Sequence, residues 1–266
     1  MIKLALLLGE GALARAAYEA AQQEFGSDSV AGFALCRKAW PELPLFDLDD
    51  LGAAISMTKQ AAPELISVAG RVDLSPERRD KMVASLHSAL PEVARDTSDL
   101  GLEILFGVVA QLIGARPIGV HEFAARLLAA EGHLFGQEAD VNSEIYSKLL
   151  TATRKFGETD LGQSLVFAGV QPVVGEDIAG TDALLHRVKA LATHTPFVGE
   201  LTLVKAKKPQ QTGVGDLPTI GRRTVELAAE VGISTILVEA GATLVLDQDE
   251  LDALCHKTGV RIIGAQ

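Results

Sequence analysis

Short apolar runs alternate with longer amphipathic stretches along the chain. Residues 3–8 are a continuous apolar run of strand length and lead through Gly9-Glu10-Gly11 into an alanine-rich helical stretch, 12–22. Residues 32–36 and 66–70 read as two more strands, the second ending in Gly70, and 48–59 between them carries apolar residues at helical spacing. Such alternation predicts βαβ units and a parallel sheet. Ser75-Pro76-Glu77 opens a helix: serine suits the cap, proline the first helical position, and glutamate the positive helix end. A second helix is predicted over 97–113 and a short strand over 117–120.

The pattern then changes. Residues 137–156 are polar, lack a strand signal, and place Ile145, Leu149 and Leu150 on one helical face, which reads as a helix bridging two domains. Strands at 164–170 and 173–174 flank Gln171-Pro172 as a hairpin-like pair. Gly180-Thr181-Asp182 caps a helix over 183–191. A strand at 200–205 runs into a polar loop, 205–215, with Lys205, Lys207 and Lys208. A helix over 222–231, strands at 235–239, 242–246 and 260–263, and a helix at 248–258 complete the chain. The resulting expectation is an α/β protein with a small N-terminal Rossmann-like parallel-sheet domain (1–137), a linker helix (138–158) and a C-terminal α/β domain (159–266).

Composition narrows the function classes. The chain has 266 residues, 48% of them hydrophobic, so a sizeable core is available and global disorder is excluded. No apolar run approaches the ~20 residues of a membrane span; the longest candidate, 104–113, is about half that and contains Gln111. The apolar start is ended by Gly9-Glu10-Gly11 and lacks a cleavage site, so a cytoplasmic protein is expected. A net charge of −11 argues against nucleic acid as a partner, which needs a basic stripe. Cys36 and Cys255 have no metal-ligand spacing and read as reduced structural residues.

Four motifs carry candidate chemistry. Gly9-Glu10-Gly11-Ala12-Leu13-Ala14 follows a strand and opens a helix, as in G-x-G-x-x-[G/A]; the glycines permit a tight turn and close approach of a diphosphate to the helix N-terminus. A tight strand–helix turn of any α/β domain explains it equally. Where the second strand should end in a ribose-binding acid stand Cys36, Arg37 and Lys38, which excludes NAD and leaves NADP only through Arg37. Glu10 adds negative charge where a phosphate would sit. The lysine loop with Asp216-Leu217-Pro218-Thr219-Ile220-Gly221 brings cations near a carboxylate, the mixture phosphate chemistry needs; a helix cap at Asp216 and a solvated loop are the plain alternative. Thr181 or Asp182 could cap a helix, and His186 and Arg187 could reach an anion; capping is the plainer reading. Glu239 closes a strand, where α/β sites are usually built, and His121-Glu122, just after a strand, offers the best site histidine. The histidines otherwise lie singly, without i, i+4 ligand pairs.

In order and spacing the chain resembles the LpxI-type UDP-2,3-diacylglucosamine pyrophosphatases of lipid A biosynthesis. The resemblance rests on Leu7-Leu8-Gly9-Glu10-Gly11-Ala12-Leu13, Ala69-Gly70, Gly101, His121-Glu122, Asp160-Leu161-Gly162-Gln163, Gly180-Thr181-Asp182-Ala183 and Lys208-Pro209 with Gln211. Its most specific part is Asp216-Leu217-Pro218-Thr219-Ile220-Gly221 with Thr224, Glu239-Ala240-Gly241 and Leu244-Val245-Leu246-Asp247. The resemblance implies Mg²⁺-dependent hydrolysis of UDP-2,3-diacylglucosamine to lipid X and UMP. It also implies an apolar chamber between two domains, a homodimer and peripheral contact with the inner membrane. It assigns catalysis to Asp216, which would also hold the metal, with Lys208 and Thr219. Binding of the substrate falls to Gly9, Gly11, Ala12, Gly70, His121, Thr181, Asp182, Gln211 and Glu239.

Departures from the family pattern cluster at these positions. Glu10 replaces a glycine, Val214 a basic residue and Thr212 an acidic one, and Gly101-Leu102-Glu103 keeps one of two acids. The alternative is therefore a homologue that binds a nucleotide or lipid without this turnover.

Overall fold

Two units of the chain each build their own sheet. The computed structural model describes residues 1–72, 75–89, 99–138, 143–194, 196–214 and 217–266. One unit comprises 1–126 with 211–216; the other comprises 127–210 with 217–266.

In the first unit, β1 (Leu4–Leu8), β2 (Val30–Ala34), β3 (Leu65–Ala69) and β4 (Arg116–Pro117) form a parallel sheet in the order β2-β1-β3-β4. The run Leu4-Ala5-Leu6-Leu7-Leu8 is buried throughout, as a central strand covered on both faces must be. Helix α1 (Ala12–Phe25) turns four alanines inward, Ala14, Ala17, Ala20 and Ala21, so its backbone can approach closely. Around Ala5, Leu7, Phe33 and Ile66 pack α2 (Leu51–Gln60) and α4 (Asp99–Ile113) through Leu51, Ala54, Leu105 and Val109. Asp50 caps α2 by accepting from the Ala53 N–H at 3.1 Å. The expected Ser75 cap of α3 (Pro76–Ala89) is made through the Arg78 N–H at 3.3 Å. The strand expected over 117–120 is shorter, because α5 (Val120–Phe123) begins there and carries His121 on a helical turn.

The second unit holds a six-stranded sheet. Its members are β5 (Gly132–Phe135), β6 (Ser164–Ala168), β7 (Gln171–Gly175), β8 (Leu201–Lys205), β10 (Ile233–Glu239) and β12 (Arg261–Ala265), in the order β5-β12-β10-β8-β6-β7. Strands β8, β10 and β12 run parallel; β5, and β6 against β8, are antiparallel, and β6–β7 is the expected hairpin. Alternation divides the sheet's two faces. Val166, Leu203, Val238 and Ile262 meet α7 (Gly180–Ala192), α8 (Arg222–Glu230) and α9 (Gln248–Thr258) through Leu184, Leu185, Val225, Leu251 and Cys255. Leu165, Phe167, Val204, Leu237 and Ile263 meet α6 (Ser143–Gly157) through Tyr146, Leu149 and Leu150. Helix α6, drawn from the 138–158 stretch set apart as a linker, thus supplies one face of this core.

One element of this unit was absent from the sequence pattern. Thr219-Ile220 is a short strand, β9, paired in parallel with β11 (Leu244–Val245). Helix α8 therefore starts at Arg222 behind Gly221, and the Asp247 carboxylate accepts its first N–H at 3.1 Å. Asp216, for which a helix cap was the plain alternative, lies outside the described residues. Among the described residues no helix is long and apolar enough to cross a membrane.

Candidate active site

In the first unit the glycine turn sits where the sheet order reverses, at the carboxyl ends of β1 and β3, the usual place for a ligand crevice in an open α/β sheet. Here the two turns are laced together. The Glu10 N–H donates to the Arg71 carbonyl at 2.7 Å, and the Arg71 N–H returns to the Glu10 carbonyl at 2.8 Å. A Cβ on Gly9 would stand 2.5 Å from the Arg71 carbonyl oxygen, and one on Gly70 2.7 Å from Ala14 Cβ. Gly9 and Gly70 are thus required by backbone approach. Gly11 is selected differently: its φ is +98° and nothing crowds it. It precedes α1 without a side-chain cap, and Ala12 opens the helix exposed.

The charge of Glu10 is answered locally. Cys36 Sγ donates to one carboxylate oxygen at 3.0 Å, and Arg71 Nη2 to the other at 3.3 Å. The Cys36 hydrogen bond, then the Arg71 hydrogen bond and charge, with Lys38 nearby, hold this carboxyl below the usual range. The second strand therefore ends in a thiol that serves Glu10 and in two exposed cations, Arg37 and Lys38. The other thiol, Cys255, is buried, and burial followed by the Asp252 charge pushes it up to about 11.

Residues 211–214 pass against α5. A Cβ on Gly119 would fall 2.3 Å from the Gly213 carbonyl oxygen and 2.6 Å from the His121 ring. Nδ1 of His121 is buried without a hydrogen-bond partner. The Thr212 hydroxyl donates to Glu103 Oε1. One departure noted in the sequence, Thr212, is therefore the contact partner of the retained acid Glu103.

The second unit concentrates charge at the carboxyl ends of β8 and β10. On the α7 side, Lys205 is 4% exposed; its Nζ donates to Thr181 Oγ1 at 2.8 Å and to the Thr219 carbonyl at 3.2 Å. Thr181 donates in turn to Glu176 Oε1 at 2.6 Å, and the Gln163 N–H donates to Glu176 Oε2 at 2.8 Å. Burial pushes the Glu176 carboxyl up, but the Lys205 charge, the Thr181 hydroxyl and the Gln163 N–H outweigh it, so it lies below the ordinary value. Thr181 thus serves this network rather than the cap of α7, and Asp182 pairs with Arg223 at 3.5 Å.

On the α6 side, Arg154 Nη2 donates to Glu239 Oε1 at 3.0 Å and the Lys207 N–H to Glu239 Oε2 at 2.8 Å. Lys208 is also 4% exposed and donates to Asp160 at 2.9 Å; Asp160 sits at φ +58° and also accepts from Gln210 at 3.3 Å. Lys205 and Lys208 are therefore not a solvated loop. Glu176, Asp160, Arg154 and Gln163 were missed by sequence reasoning, although Asp160 and Gln163 lie in a motif singled out there. Each looked like an ordinary polar residue until the fold brought it beside a charged partner.

The structure does not bring the glycine turn and the lysine cluster into one unit: Gly9, Gly11, Ala12, Gly70, His121 and Gln211 belong to the first, Thr181, Asp182, Lys208, Thr219 and Glu239 to the second. Among the described residues no group of three or more His, Cys, Asp or Glu side chains is placed to hold a metal ion. Asp160, Glu176 and Glu239 each face a cation instead.

Residues 131–263 match the model of the LpxI C-terminal domain. The UDP-2,3-diacylglucosamine pyrophosphatase LpxI of Caulobacter vibrioides is 33% identical over 151 residues, covering 55% of this chain and 54% of that protein. The chain thus spans about half the length of the curated relative it matches. The matched region contains every residue of the two buried networks.

Proposed function

Because the chain belongs to the LpxI family, whose C-terminal domain it carries over residues 131–263, we propose that it hydrolyses the diphosphate of UDP-2,3-diacylglucosamine to lipid X and UMP. The observation that carries this reading is the pair of buried lysines, Lys205 and Lys208, held at the strand ends from which the chain runs to Asp216-Leu217-Pro218-Thr219, inside the region shared with the family.

In this reading Asp216 orients the attacking water. Lys207, the least buried of the three loop lysines, reaches the diphosphate. Lys208 and Asp160 hold the loop that presents it. Thr219 stands on β9, with its carbonyl engaged by Lys205 and its hydroxyl donating to the Leu217 carbonyl at 3.1 Å. Preorganised cations stabilise charge that grows on the leaving phosphate oxygen, which is where such groups contribute most. In the first unit, the amides of Gly11 and Ala12 at the uncapped start of α1 suit an anionic group.

Mg²⁺ is part of the same proposal. It is commonly held by one or two carboxylates, with substrate phosphates and water completing its shell. Asp216 suits that role as a hard oxygen donor, and an all-protein cage is absent among the described residues. The ion would supply further charge neutralisation on the diphosphate.

The test is thin-layer detection of UMP and lipid X from a UDP-diacylglucosamine preparation. Asp216→Asn is expected to lower turnover by on the order of 10²–10³-fold with the melting temperature unchanged. Unchanged turnover in that variant overturns the role of Asp216. Full activity in excess chelator overturns the metal. UDP binding without UMP release by the wild type selects the binding-only homologue.

A further inference from the structure

Glu176 makes no contact that the chemistry above requires, yet the chain invests heavily in it. It is 7% exposed and sits between β7 and α7. Two sequence motifs converge on it. Gly162 and Gln163 come from one: a Cβ on Gly162 would lie 2.6 Å from Glu176 Cβ, and the Gln163 N–H donates to Glu176 at 2.8 Å. Thr181 comes from the other and donates at 2.6 Å. The Thr181 hydroxyl has one proton to give, so with that proton on Glu176 its lone pair is turned to Lys205, whose Nζ donates to it at 2.8 Å. The same ammonium donates to the Thr219 carbonyl at 3.2 Å. The chain of contacts runs Gln163 N–H, Glu176, Thr181, Lys205, Thr219 carbonyl.

We propose that Glu176 is a positioning residue: through Thr181 and Lys205 it anchors the Leu217-Pro218-Thr219 segment that follows Asp216. Leu217 and Ile220 bury their side chains, the Pro218 and Ile220 carbonyls accept from the Leu244 and Leu246 N–H groups, and the Thr219 carbonyl between them accepts from Lys205. Its strand, β9, is two residues long and pairs with the two residues of β11. Glu176 supplies negative charge close to the nearly buried Lys205 ammonium, which lowers the cost of holding that ammonium away from water. The sheet separates this relay from the other charged network at the same edge. Lys205 lies in register with Val238 of β10, whose side chain belongs to the α7 and α8 face, while Glu239, one residue on, meets Arg154 of α6. The relay rests on the proposed hydrolysis only for its effect on rate.

Hydrogen exchange read by mass spectrometry, together with kinetics, tests it in the full chain. Glu176→Gln and Thr181→Val are expected to speed exchange of the Leu217, Thr219 and Ile220 amides while β8, β10 and α6 keep their protection. Turnover is expected to fall roughly ten- to a hundred-fold with KM held within about two-fold, because the displaced segment borders the reacting groups. Thr181→Ser keeps the hydroxyl and is expected to restore both. Unchanged exchange at 217–220 overturns the inference whether or not the wild type releases UMP. Faster exchange throughout the second unit also overturns it, since Glu176 would then be a stability residue alone. A raised KM with unchanged kcat in Thr181→Val would make Thr181 a substrate contact and overturn the relay. Absence of UMP release by the wild type bears on the proposed hydrolysis, and the exchange result stands apart from it.

Discussion

The two units treat charge in opposite ways at equivalent places. Each has carboxylates and cations at the carboxyl ends of its parallel strands. In the first unit the Glu10–Arg71 pair stands in solvent, with the arginine side chain 82% exposed, and the local architecture is set by glycines and backbone hydrogen bonds. In the second, Lys205, Glu176 and Lys208 are each under a tenth exposed and are knitted by side-chain hydrogen bonds. Backbone turns can open to a ligand with little electrostatic cost. Buried ion pairs cannot be taken apart cheaply, so they suit residues whose position has to be kept. The difference is one of rigidity at the two strand-end edges, and the family model, over 131–263, covers the rigid one.

Removing one cation from each unit gives the largest expected contrast. Lys205→Met leaves Glu176 buried without its counter-charge and is expected to destabilise the second unit by about 3–5 kcal/mol. Arg71→Met frees a solvated carboxylate and is expected to leave the melting temperature unchanged. Chemical denaturation of the two variants checks this. Equal losses would erase the distinction between the units.

Acid titration sharpens it. The Glu176 carboxyl is lowered in the folded state, so the unfolded chain binds its proton first as pH falls. Its stabilisation is complete above the ordinary glutamate value of 4.5 and is lost as pH drops from there through the folded value. Stability measured from pH 6 to pH 3 is expected to fall more steeply in the wild type than in Glu176→Gln. Parallel curves would mean that Glu176 is not held by charge.

The smallest expected effect concerns Glu10. Its position in the glycine turn suggested repulsion of a diphosphate, but Arg71 and Cys36 already satisfy its oxygens. Glu10→Gly is therefore expected to change UDP affinity by no more than about five-fold by titration calorimetry. A hundred-fold tightening would show that the carboxylate faces the ligand and that the first unit also carries uncompensated charge.

Much of the architecture was legible in the one-dimensional pattern. The buried run 4–8, the alanine face of α1, the Ser75 cap and the helix at Gln248–Thr258 follow from periodicity and capping chemistry, which act between residues close in sequence. So did the motifs themselves, including Asp160-Leu161-Gly162-Gln163 and Gly180-Thr181-Asp182. What those motifs do was decided by tertiary structure. Glu176 lies 29 residues before Lys205, and no local rule pairs them; the antiparallel β6–β7 hairpin beside β8 does. The same holds for β9, whose two residues become a strand because Leu244–Val245 lies alongside, and for α6, whose apolar face was legible but whose place against the six-stranded sheet was not. Spacing along the chain determines which face a side chain occupies. Only the assembled sheet determines which charge it meets there, because burial and the approach of a partner set the energy of an ion pair.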